Sequence, residues 1–378
     1  MAQSPFGDIP LFRELQRLLS ANEGPINYEI ARQVAISVVV DESGWAPDQK
    51  DARAFEDAVR EAEVLVAGFT RLRAAEPAQT VLLSRRTWID STMTAWAWVL
   101  EHLARRLGGE LADAPEESGP EAPLGAAIKQ MAPLLVGIQT GQLLGNLANR
   151  MLGRYDIPIP RDDDGRLLFV VPNITEVMRD YNLGDGFIRW LAAREVTPHL
   201  IVAAVPWMER YWRNLIIEVV DSIELDVSDL ERRLMELQSG GLDPNSLAQP
   251  GEALPFASTD RHRRAQNNLR AFETLVAGYA AHASIAVSPT LVGEDAPRFA
   301  EAMTRYRATG DEAESMLSQL LGLVLDRSAQ ISGATFCAAV AQLKGIDSLN
   351  QVWAAPDNVP TLEEIVDPFV WMDRVLDA

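Results

Sequence analysis

The sequence predicts a mainly α chain with one short β hairpin. Three observations predict it. Apolar residues recur at helical spacing along most of the 378 residues. The two short apolar runs with strand character flank an Asp-Gly pair at 164–165, which suits a turn needing positive φ. Hydrophobic residues make up 47% of the chain, which allows a sizeable core.

From the N-terminus, 25–38 (PINYEIARQVAISV) places Ile26, Ile30, Val34 and Ser37 on one stripe. The segment 48–76 carries Phe55, Val59, Val64, Val66, Phe69 and Leu72 among charges, and 86–107 carries Trp88, Ile89, Trp96, Val99, Leu100 and Leu103. Each reads as an amphipathic helix, and the cluster Trp88, Trp96, Trp98 as core. Residues 108–123 hold five acids and no base among Gly and Pro, which predicts a solvated linker. A long apolar helix is expected over 124–153. Its uncharged run from Gln130 to Asn149 contains Gln and Asn, and so reads as buried rather than membrane-spanning. The hairpin would follow, with YDIPIP and LLFVVPNI as arms and RDDDGR as turn. The Asp triplet lacks the alternating ligands and distal Glu of a calcium loop. Helices are predicted over 174–182, 186–197, 206–223 and 260–287, with 239–259 as loop and a helical C-terminal piece. The expected organisation is an N-terminal helical region (1–107) packed on the rest, the acidic linker (108–123) and a helical region (124–378).

Acids outnumber bases 54 to 34, a net charge of −20. This argues against nucleic acid as partner, since that binding rests on Lys and Arg neutralising phosphates, and against an anionic membrane surface. One cysteine, Cys337, excludes an intramolecular disulfide and reads as an inert core thiol. With no basic-then-apolar start, a cytoplasmic location is expected. Four histidines (His102, His199, His262, His282) leave few metal ligands. His102 and His262 are expected at the surface.

The window R-E-V-T-P (194–198) approaches H-E-x-x-H, in which two imidazoles one helical turn apart converge on zinc and the Glu serves a bound water as base. Here the ligand positions hold Arg194 and Pro198, and only Glu195 stands at the base position. Arg194 offers donors only. Pro198 has no side-chain ligand and lacks the N–H that Arg194's carbonyl would accept; inside a helix this costs about 3 kcal/mol, so the helix should kink or end there. Glu195 and His199 are i,i+4. They make either a reduced Glu-His site or a plain hydrogen bond along the helix.

The chain resembles the uncharacterised zincin-like hydrolases of bacteria, some linked to deazaflavin-coenzyme biosynthesis. The resemblance rests on INYEIARQVA (27–36), SRRTWIDSTMTAW (84–96), VGIQTGQLLGNLANRMLGRYDIPIP (136–160), LLFVVPNI (167–174), REVTPHLIVAAVPW (194–207), FETLVAGYAAH (272–282) and the C-terminal LLGLVLDRSAQISGATFCAAV, NQVWAAPDNVPTLEEIVDP and WMDRV. It implies a zincin-like helical fold. Carried over by position, the family's first His falls on Arg194, its Glu on Glu195, its second His on Pro198 and its third ligand on Ala277. The resemblance therefore implies zinc in the family but none here. The first expected function is binding of an unknown peptide, metabolite or protein in a remnant cleft lined by Arg194, Pro198, His199 and Ala277, without zinc or peptidase activity. The alternatives are a hydrolase rebuilt on Glu195 and His199, and a structural or assembly protein. Arg194 would either anchor an anion or plug the cleft by pairing with Glu195 or Glu273.

Overall fold

The computed structural model describes residues 24–40, 46–113, 122–224, 259–309 and 327–377, with 314, 317, 321 and 323. Helix α1 (Tyr28–Val38) starts where Asn27 accepts from the Ile30 N–H, and α2 (Gln49–Thr70) starts where Asp48 accepts from Asp51. Both caps satisfy N–H groups that a helix start leaves open. Strand β1 (Thr80–Leu83) leads into α3 (Arg85–Ala95) through a Ser84–Thr87 capping box. Then come α4 (Ala97–Asp113) and α5 (Ala122–Ala148). Residues 108–113 thus continue a helix instead of opening a linker, and 114–121 lie outside the described residues. So does most of the expected loop at 239–259.

The chain is mainly α, as its periodicity predicts, but the β element differs. Strand β2 (Leu167–Val170) pairs in parallel with β1, Thr80 opposite Leu167 and Leu83 opposite Val170. The turn forms at Gly165 (φ 75°), whose N–H donates to Asp163, yet YDIPIP supplies no partner strand. Pro158 and Pro160 have no ladder donors, and Ile159 bonds back to Ile157 instead. All four residues of LLFV are buried, as the continuous apolar run of a parallel strand demands.

After β2 the chain forms α6 (Val171–Asp180), α7 (Gly186–Ala204), α8 (Met208–Asp221), α9 (Asp260–Val292), α10 (Ala296–Ala308), α11 (Arg327–Lys344), α12 (Leu362–Val366) and α13 (Pro368–Val375). Pro198 does not end α7, which runs six residues further. Val196, Leu200 and Ile201, each 1% exposed or less, hold both halves in the core, and packing outweighs the lost hydrogen bond.

Two arrangements position the site. Helix α5 lies against α1 with Gly137, Gly141 and Gly145 facing the α1 backbone near Asn27, Ala31 and Ala35. Helix α9 packs against α7, α8, α2 and α11. Gly278 of α9 meets the Gly333 backbone of α11 with no room for a β-carbon. Residues 260–308 include the one stretch, among the described residues, apolar and long enough to cross a membrane by composition, and half of its most apolar window is buried in the protein. Trp88 and Trp96 stack edge-on in the core at 6.1 Å, and Cys337 is fully buried. His102 is half-buried and 2.8 Å from Asp221, and His262 Nδ1 lies 2.9 Å from the Ser222 hydroxyl. Neither histidine is simply solvated.

Candidate functional site

Helices α7, α9, α10 and α11 enclose a cavity of about 750 Å³. Arg194, Glu195, Pro198 and Ala277 all line it, so one space brings together these residues from α7 and α9. His199 is not among the lining residues. It is partly buried, and burial followed by the nearby Arg154 cation lowers its pKa to about 4. Among the described residues no hydrogen bond or ion pair joins His199 to Glu195.

Glu195 is 3% exposed. Its Oε2 accepts the Tyr155 N–H at 3.0 Å. The carboxyl lies so close to Gly153 that a β-carbon there would enter its van der Waals shell. Burial, then the neighbouring Asp156 charge, pushes its pKa up to about 8, against the opposing pull of the Tyr155 amide, Arg194 and Arg307. The group thus holds its proton to higher pH than an ordinary carboxyl does.

Asp156 is held differently. Its Oδ2 accepts the N–H groups of Leu152 (2.6 Å) and Gly153 (2.8 Å), and its Oδ1 meets the Arg307 guanidinium at 2.5 Å. Arg307 therefore has its counter-ion. Arg194 does not: among the described residues its guanidinium has no hydrogen-bond or salt-bridge partner. It lies over the Trp190 ring, 5.0 Å from the centroid. Desolvation first, then Arg307, lowers its pKa to about 10, so it remains a cation at neutral pH. The pairing with Glu195 expected under the plugged alternative is not formed. Glu273, the other expected partner, lines the same cavity from α9, where it is buried.

The opposite wall is the small-residue face of α9. Ala277, Ala280, Ala281, Ser284 and Ser288 line it, and both serines donate to helix carbonyls, Ser284 to Ala193 at 3.3 Å and Ser288 to Ser284 at 2.6 Å. Their hydroxyl protons are thus turned from the cavity. Ile285 and Ile331, 69% and 53% exposed, line the cavity where it meets solvent.

Sequence reasoning missed Trp190, Asp156, Arg307, Tyr155 and Gly153. Trp190 had a readable signal, since RWLAAR sets it one turn before Arg194. Asp156 and Arg307 had none, because 151 residues separate them.

The protein is mainly helical, and Glu195 of α7 lies in the wall of its cavity. The sequence profile of the zincin-like metallopeptidases matches residues 26–372, and the chain belongs to that family. No curated protein matches it. Its fold is that of the crystal structure of a "putative hydrolase with a novel fold" from Chloroflexus aurantiacus, with a TM-score of 0.67 and 24% identity over 92% of this chain and 98% of the other.

Family membership implies a zinc ion, and the residues present do not fit one. No histidine or cysteine lines the cavity. Of its acids, Asp156 is committed to two backbone amides and Arg307. Among the described residues no three His, Cys, Asp or Glu side chains come together as a metal requires.

Proposed function

We propose that this zincin-like protein binds an anionic ligand in the cleft and works without zinc or peptidase chemistry. Arg194 carries the proposal. By the resemblance it stands where the family has its first zinc-ligating histidine, and there it presents to a cavity of small-molecule size a guanidinium backed by Trp190 and without an acid partner among the described residues. A planar fork held on an aromatic face suits a carboxylate. The rebuilt-hydrolase alternative needs Glu195 and His199 to act together, and His199 does not line the cavity.

The test has two parts. Elemental analysis of protein purified without chelator should find no stoichiometric zinc; about one zinc per chain, lost in Glu195→Ala, overturns the reading. A panel of acidic metabolites and dipeptides screened by thermal shift should contain binders whose effect disappears in Arg194→Met.

A further inference from the structure

The walls around Arg194 narrow what such a ligand can be, and the narrowing rests on the anion-binding reading above. Ala277, Ala281, Ser284 and Ser288 are spaced i, i+4, i+7 and i+11 on α9, a stripe about 16 Å long. Pro297 and Ala300 of α10 and Ala334 of α11 line the same cavity. The cationic end and the apolar length belong to one continuous space, with Ile285 and Ile331 at the opening.

The charges fix the head group. Asp156 pairs with Arg307, and burial holds the Glu195 proton more tightly than an ordinary carboxyl holds its own. Glu273 and Glu294 also line the cavity, but among the described residues none of these acids forms an ion pair with Arg194, and its open fork over Trp190 suits a single carboxylate. The walls decide the body. Most of the lining is apolar side chain, and the two serine protons are committed to helix carbonyls; the polar exceptions include Gln330, Thr304, the acids, and the carbonyls that Pro198 and Pro289 leave without a helical donor. Along the stripe itself, from Ala277 to Ser288, no side chain offers a free donor, so an extended peptide would leave amide carbonyls there unmet, whereas an alkyl chain has no polar group to satisfy.

We propose that the cavity takes a monocarboxylate with a flexible apolar chain, its carboxylate forked by Arg194 over Trp190 and its chain laid along the small-residue face of α9. The ligand class is a medium-chain alkanoic acid or an acyl compound ending in a free carboxylate.

The experiment is calorimetric titration of the full-length protein with sodium hexanoate, octanoate, decanoate and dodecanoate, each below its micellisation concentration. Decanol and an apolar tripeptide with a free C-terminus serve as comparisons. Affinity should rise about fourfold per added methylene until the stripe is filled. Decanol should bind at least about tenfold more weakly than decanoate. Arg194→Met should weaken decanoate by a similar factor, and Arg194→Lys, which keeps the charge without the fork, should restore part of it. Should Arg194→Met fail to fold, Ala281→Phe supplies the second variant: it fills the stripe and should lower affinity for decanoate far more than for hexanoate. Carboxylates that bind through Arg194 with no dependence on chain length leave the anion reading intact and overturn the acyl inference. So does a tripeptide that outbinds decanoate. Alkanoate binding insensitive to both variants overturns the acyl inference and the Arg194 reading together.

Discussion

At the scale of single residues, Glu195 is where burial decides the chemistry. Its folded-state pKa is raised, so the folded protein holds this proton over a pH range in which the unfolded chain has released it. That contribution is fully present below the ordinary carboxylate range. It is lost as pH climbs from about 4.5 to about 8. His199 works in the opposite sense: its lowered pKa removes stability as pH falls from 6.5 towards 4. Glu195→Gln keeps an oxygen for the Tyr155 N–H and abolishes the titration. Denaturant midpoints of wild type and Glu195→Gln at pH 5 and pH 8.5 should therefore diverge, the variant gaining on the order of 3 kcal/mol relative to wild type at the higher pH. His199 cancels in that difference. A gap that does not change with pH would show that Glu195 titrates normally. The sequence marked Glu195 and Arg194 through a near-miss to a known spacing. It could not reveal that Arg194 would lie on Trp190 without an acid, because that depends on Asp156 being taken by Arg307 from across the fold.

At the scale of elements, the helices were legible because each has a face that must be buried, and 3.6-residue spacing records that requirement. The strand partner was not. Apolar runs on both sides of Asp-Gly suggest a hairpin, but prolines at 158 and 160 spoil one arm, and β2 finds β1 more than eighty residues upstream. The glycines of α5 carried a signal that went unread: 137, 141 and 145 are one turn apart and open a groove for α1. A β-carbon at Gly141 would run into the Ala31 carbonyl and the Val34 side chain. Gly141→Ala should then destabilise the protein by about 1–3 kcal/mol through overpacking. Gly68 in α2 is exposed, with open space where its β-carbon would be. Gly68→Ala should stabilise by about 0.5–1 kcal/mol through helix propensity. Thermal unfolding of both variants gives the comparison. Opposite signs expected from the same substitution separate packing from propensity.

At the scale of the whole molecule, the N-terminal hundred residues complete the rest instead of standing beside it. Strand β1 is the partner of β2, and Phe55 of α2 meets Phe169 of β2 at a ring separation of 5.0 Å. Arg85, 1% exposed, reaches across to Asn173 and Glu176 of α6 at 2.6 Å each. Removing the segment would strip a strand pair, an aromatic contact and the buried guanidinium that pairs with Glu176 at one stroke. It would also uncover the faces of α7 and α9 that α2 covers. Residues 1–117 and 118–378 expressed separately should each fail to give a cooperative thermal transition. Expressed together they should co-purify and regain one, since these contacts do not depend on an unbroken chain between α4 and α5. A 118–378 fragment that unfolds cooperatively alone would show that the cavity-bearing half has its own sufficient core, and that the N-terminal helices are an addition to it.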